Sequence, residues 1–187
     1  MIPRWIVYFQ GALLGVVAAT FFVFGVMVGN LTSGTDSAAE QKLNCRLSGQ
    51  VVVSDRNDTI ADRGAVVMLL PLEFRPEERS NSALLHPESF EPLENPGIDR
   101  IMALGGAVVR VNDRGAFDVT VDGPHDYVLL VVSASQTRDG STELSKNQKA
   151  VLANYFLPAE GVIGQQAFYW SKLTADRESV ELSKIEF

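Results

Sequence analysis

The chain is poor in the residues that catalysis and cross-linking draw on. Among 187 residues there is one cysteine, Cys45, and there are two histidines, His86 and His125. A lone thiol makes neither an intrachain disulfide nor a zinc site. Lipidation of Cys45 would need a small residue just before it and an apolar run immediately upstream, whereas Lys42, Leu43 and Asn44 precede it. Cys45 therefore reads as a small buried hydrophobe near the start of a strand. The histidines lie 39 residues apart with no HExxH or HxxE context, so the clustered ligands of a zinc peptidase are missing. No G-x-S-x-G elbow occurs, nor a glycine loop that would cradle a phosphate. Positive charge is also scarce. The chain has 16 Lys and Arg against 23 Asp and Glu, a net charge of −7, which excludes nucleic acid as an expected partner and disfavours anionic headgroups.

The nearest approach to a metal site is Asp55, Asn57 and Asp58 in one turn, with Asp122 and Asp126 as possible additions. Their spacing fits no established calcium loop, and Asn and Asp are good turn formers in any case. The reading thus assigns no catalytic residue, no cofactor and no metal, and expects the protein not to be an enzyme. Asn30-Leu31-Thr32 and Asn57-Asp58-Thr59 spell glycosylation sequons, relevant only in a host that glycosylates secreted proteins.

Charge is absent altogether from Trp5 to Thr35. Within that stretch Ile6–Val28 is almost wholly apolar, with Gln10 and Thr20 the clearly polar exceptions. A bilayer core needs about 20 helical residues, so residues 1–30 are expected to be a single transmembrane anchor. A cleaved signal peptide would have an apolar region of only about 7–15 residues. Arg4 precedes the segment while Asp36 and Glu40 follow it, so the N-terminus is expected in the cytoplasm. Trp5 and Tyr8 fit an aromatic belt at that face, and the remainder would lie in the periplasm or outside the cell. Gly11, Gly15, Ala18, Phe22, Gly25 and Gly29 recur at spacings of four and three. They mark a helix face on which a partner helix or a second copy could pack closely.

Residues 31–42 are small and polar and read as a linker to a domain over 43–187. Arg46–Val53 is expected as the first strand, Ser54–Asp58 as a turn, and Gly64–Leu70 as a strand in the middle of a sandwich. Leu72–Gly97 carries Pro76, Pro87, Pro92 and Pro96 among many glutamates. Prolines at that density exclude a central strand, so the stretch is expected to be a long acidic surface loop with room for one helical turn, either a binding element or a poorly ordered insertion. Strands are expected at Ala103–Val111, Ala116–Val121 and Tyr127–Ala134, with a hairpin-type turn at Asn112–Gly115. Glu143–Phe156 reads as a helix capped by Ser141 or Thr142, with Leu144, Val151, Leu152 and Tyr155 on its apolar stripe. Gln165–Thr174 and Ser179–Phe187 complete the set. The architecture expected is mainly β, a seven-stranded antiparallel Greek-key sandwich with one short helix, preceded by a single transmembrane helix. Its core would include Val51, Val67, Leu69, Val109, Phe117, Leu129, Val131 and Phe168.

Four short signatures carry a resemblance: Gly49-x-Val51, Gly64-Ala65-x-Val67, Asn112-x-x-Gly115-x-Phe117, and Gly123 followed by Tyr127. At these residues the chain resembles the carboxypeptidase regulatory-like domain, a transthyretin-like β-sandwich, over about Leu47–Ala134. The proline-rich stretch and the helix near residues 143–156 depart from that pattern. The resemblance implies a non-catalytic sandwich used for support, adhesion or partner contact, and it transfers no functional residue. The functional expectation is a membrane-anchored, extracytoplasmic module that binds an envelope protein or glycan, or acts as a scaffold. The alternative is an accessory subunit of a larger membrane complex, packed through the glycine stripe.

Overall fold

Tyr127–Ser133 is buried at every position. Neighbouring residues of a strand point to opposite faces, so such a run needs cover on both sides, and that requirement shapes the domain. The computed structural model describes residues 43–55, 58–91, 95–140 and 142–187, and these belong to one unit, Lys42–Phe187. The expected anchor and linker lie outside the described residues. Among the described residues no helix is long and apolar enough to cross a membrane.

The elements run β1 (Leu43–Asp55), β2 (Asp58–Ala61), β3 (Val66–Pro71), a two-residue β4 (Ser80–Asn81) and a 3-10 turn at Ser82–Leu85. Then come α1 (Pro96–Ala103), β5 (Ala107–Arg110), β6 (Ala116–Gly123), β7 (Asp126–Thr137) and α2 (Lys146–Tyr155). The chain ends with β8 (Phe156–Leu157), a second 3-10 turn at Ala159–Val162, β9 (Gln166–Thr174), β10 (Ser179–Glu181) and β11 (Ile185–Glu186). One sheet has the order β5-β3-β7-β9. A second is built on the thirteen-residue β1, which pairs antiparallel with β6 and β2 and parallel with β10 and β11, and β4 and β8 pair in parallel as a small third sheet.

Between the sheets lie Cys45, Leu47, Val51, Val67, Leu69, Phe117, Val121, Tyr127, Leu129 and Val131. The opposite face of β3 and β7 presents Val66, Met68, Leu70, Val128, Leu130 and Val132 to a second core. That core is closed by Leu85 and Phe90, by Ile98 and Ile101 of α1, and by Leu152 and Tyr155 of α2. The domain is therefore mainly β with two short helices, and its central sheet is packed on both faces.

Several sequence expectations need correction. Leu72–Gly97 is exposed over much of its length and holds one helical turn at Ser82–Leu85, but it is more than a surface loop: Ser80, Ser82, Leu85, Phe90 and Asn95 are buried in it. Ala103–Gly106 is not strand, because Asn95 caps a helix with Pro96 in its first turn, the Asn95 Oδ1 accepting the Gly97 N–H at 3.0 Å, and that helix runs to Ala103. The second helix is capped by Ser145, whose hydroxyl accepts the Gln148 N–H while Gln148 Oε1 accepts the Ser145 N–H, a reciprocal pairing that outcompetes upstream Ser or Thr. Asn112–Gly115 does turn, with Gly115 at φ +77°, but it joins strands of different sheets. The tail forms two short strands rather than one. Arg46 pairs with Ser179 but Val51 pairs with Ile185, so the register slips by one residue between them, the signature of a bulge. These tail strands run parallel to β1, so the sandwich is not wholly antiparallel.

Two tyrosines tie the layers together. The Tyr127 hydroxyl lies 2.9 Å from the Gly105 carbonyl and 2.5 Å from that of Asp122. The Tyr155 hydroxyl donates to the carbonyls of Pro71 and Phe74, the latter at 2.9 Å. Burial raises both phenols, and that of Tyr155 is pushed up to about 12, with the Arg75 guanidinium opposing. A raised phenol holds its proton in the folded state after the unfolded chain, at about pH 10, begins to release it. The stabilisation is complete below pH 10 and is lost as pH rises from 10 to 12. For Tyr155 the loss is on the order of 2–3 kcal/mol. Thermal melts of wild type and Tyr155→Phe across pH 8–12 check this: the difference in stability between the two should shrink above pH 10. A constant difference would refute it.

Candidate functional site

The residues with chemical potential are held apart. His86, three-quarters enclosed or more, uses Nδ1 to accept the Glu88 N–H at 3.3 Å. His125 sits 3.1 Å from Glu73 Oε2, with the Phe74 ring edge-on at 5.1 Å. The Cys45 thiol is fully buried, and burial raises its pKa, keeping it protonated and unreactive. Asp126 accepts the Thr174 hydroxyl at 2.6 Å, while Asp122 packs beside Gly105; Asn57 is outside the described residues. Among the described residues, no group of three or more His, Cys, Asp or Glu could hold a metal ion.

One buried carboxyl group is fully used by the fold. Asp62 accepts the hydroxyls of Ser133 at 2.6 Å and Ser135 at 2.8 Å, and the Ala134 N–H at 3.3 Å. It pins the end of β7 to the corner after β2, and no vacant oxygen faces solvent.

Open grooves remain. A groove of about 760 Å³ is lined by Gln50, Arg110, Asn112, Asp118, Glu181 and Lys184. Of its charged groups, Asp118, Arg110 and Lys184 are engaged within the protein. Arg46 donates to Asp118 and holds that carboxyl below the usual range. Arg110 donates to the Pro87 carbonyl at 3.2 Å, and Lys184 lies 3.9 Å from Glu186.

A second groove, of about 430 Å³, runs between α2 and β9. Asn147, Val151 and Asn154 recur at spacings of four and three and so share one helix face. Trp170 and Lys172, two apart on β9, face them, with Arg75 at the rim. Among the described residues, neither Arg75 nor Lys172 has an ion-pair partner within 4.0 Å. This is a local reversal of charge in an acidic chain. Sequence reasoning missed this groove. The two spacings are visible in the sequence, but nothing local reveals that the helix lies beside that strand.

Compared with protein families and with curated proteins, the sequence matches none, so the carboxypeptidase regulatory-like resemblance rests on its short motifs. Solved structures share a loose likeness. A candidate carbohydrate-binding protein of Pseudomonas aeruginosa aligns with 76% of this chain and 90% of its own, at TM-score 0.37 and 12% identity. A minor pilin of Streptococcus agalactiae aligns with 78% of this chain and 45% of its own, at TM-score 0.36 and 11% identity. A likeness of that order is too loose to transfer any residue's role.

Proposed function

We propose that this protein is a non-catalytic binding or scaffold module of the cell envelope. In this reading residues 1–30 anchor it by one transmembrane helix, residues 31–42 are a linker, and the sandwich stands outside the cytoplasm. The observation that carries it is the pairing of an uncharged stretch, Trp5–Thr35, with a following β-sandwich unit. The sandwich bears open grooves and, among the described residues, no cluster of metal-ligating groups. The finer reading, that the sandwich is of the carboxypeptidase regulatory-like kind, draws support from Gly115 and Tyr127, which occupy the turn and the hydrogen-bonded core position such a domain needs.

Protease added to intact spheroplasts is expected to remove the domain while cytoplasmic markers survive. Protection until lysis would reverse the topology. The glycine stripe of Gly11, Gly15, Gly25 and Gly29 favours a second reading, an accessory subunit packed on a partner helix. Purification of the full chain in mild detergent separates the two. A fixed stoichiometric partner supports the accessory subunit, and recovery of the chain alone supports the stand-alone module.

A further inference from the structure

Among the described residues β9 pairs with β7 alone, along Asp126–Val132 and again at Thr137. Its other edge carries no described strand along residues 167–174, while at Gln166 the backbone N–H is already given to the Ile163 carbonyl at 3.0 Å. A sheet edge of that length presents a row of unused N–H and C=O groups to which another strand can add. Strands in a sheet lie about 4.8 Å apart and send alternate side chains to opposite faces. A strand added beside β9 would therefore direct every second side chain under α2, into the groove of Trp170, Lys172, Val151 and Asn154. Val151 and Trp170 supply an apolar floor there. Asn147 and Asn154 add amides that make no side-chain hydrogen bond among the described residues.

We propose that the free edge of β9 is a docking site for an extended acidic segment of a partner protein, received as an added strand. The inference rests on the binding-module reading and names its partner. Charge selects the occupant. Arg75 and Lys172 stand without counter-ions beside the groove, in a chain of net charge −7. A second copy of this chain would bring the same two cations to the seam, and like charges across a strand pair are destabilising. A lysine on an open edge is itself a device against self-pairing. Acidic residues at alternate positions of an incoming strand would meet both cations.

Trp170 supplies the reporter, since Trp5 is the chain's other tryptophan. The full chain carrying Trp5→Phe, in detergent micelles, would be titrated with an octapeptide of alternating Glu and Val while Trp170 fluorescence is followed. The expected result is a saturable change, with the Lys-Val octapeptide at least about tenfold weaker. Two further octapeptides carry N-methyl groups on one or the other alternating set of amides. Strand addition requires that one set weaken binding by about tenfold or more, from the loss of one or two net hydrogen bonds, and that the other be tolerated. In the Arg75→Glu/Lys172→Glu chain, preference should pass to the Lys-Val octapeptide. The proposal is overturned if both N-methyl peptides bind like the parent, since that is surface electrostatics alone, or if the double variant keeps its preference. It is equally overturned if a hexamer of galacturonate perturbs Trp170 and no peptide does, or if the chain self-associates and slows β9 amide exchange without peptide. Those last two results replace the occupant but leave a binding module standing. Silence of every probe overturns the site, and the detergent purification judges the wider reading separately.

Discussion

Phe117→Ala is expected to destabilise the domain by about 3–5 kcal/mol, the range for removing a buried aromatic ring. Phe117 is 4% exposed and lies between the sheets among Val51, Val67 and Leu129. It stands opposite Gly49 in the β1–β6 ladder. A Cβ on Gly49 would come within 2.8 Å of the Phe117 ring. The ring therefore fills space that the glycine leaves open, and truncating Phe117 creates a void that Gly49 has no side chain to fill. The melting temperature should fall by roughly 10–20 °C. Phe117→Leu, which keeps most of the volume, should cost less than about 1.5 kcal/mol. Thermal melts followed by circular dichroism read both variants. A loss below about 1 kcal/mol for the alanine would show that the sheets close over the gap.

Asp62→Ala should be nearly as damaging, at about 3 kcal/mol, because it strands buried donors rather than leaving a hole. The Ser133 and Ser135 hydroxyls and the Ala134 N–H all point at its oxygens, and Asp62 itself is 0% exposed. Asp62→Asn keeps the shape and one acceptor, and the serine hydroxyls can rotate to accept from its amide. It should therefore cost about 1 kcal/mol. Adding Ser133→Ala to Asp62→Ala removes one stranded donor, so the double variant should be more stable than the sum of the single losses implies. Strict additivity would show that water already satisfies the hydroxyl. Equal damage from Ala and Asn would assign the loss to packing.

Much of the fold was legible locally. Alternation in Ala116–Val121 placed Phe117 and Val121 inward, and the unbroken apolar run of Tyr127–Ala134 announced a strand covered on both faces. Gly115 was readable as a residue at positive φ. The prolines of 72–97 correctly excluded a central strand, yet they also concealed the stretch's role. Leu85, Phe90, Ile98 and Ile101 follow no single period, so their shared burial against Met68 and Leu130 is visible only in three dimensions. Asn95-Pro96 with Ile98 and Ile101 was a readable helix start, overlooked because the apolar residues after it resemble a strand. Phe168 was expected in the core between the sheets. It pairs with Val132 and so shares that residue's face, against the helical layer.

The site was less legible than the fold. Asp62 looks like a turn aspartate in sequence, and its donors lie about 70 residues away. Arg75, Lys172 and Trp170 carry no motif, and they become a groove only because α2 packs beside β9.

The sequence by itself determined the properties that depend on near neighbours. These are the uncharged stretch before Asp36, the mainly β character, most strand positions, the turn at Asn112–Gly115 and the scarcity of catalytic side chains. Periodicity, turn chemistry and composition act within a few residues, so they can be read along the chain. The tertiary structure alone decided which strands share a sheet, the one-residue slip between β10 and β11, the cover over β3 and β7, and the free edge of β9. Those outcomes depend on contacts between residues far apart in sequence, where the need to bury both faces of the central sheet outweighs local preference.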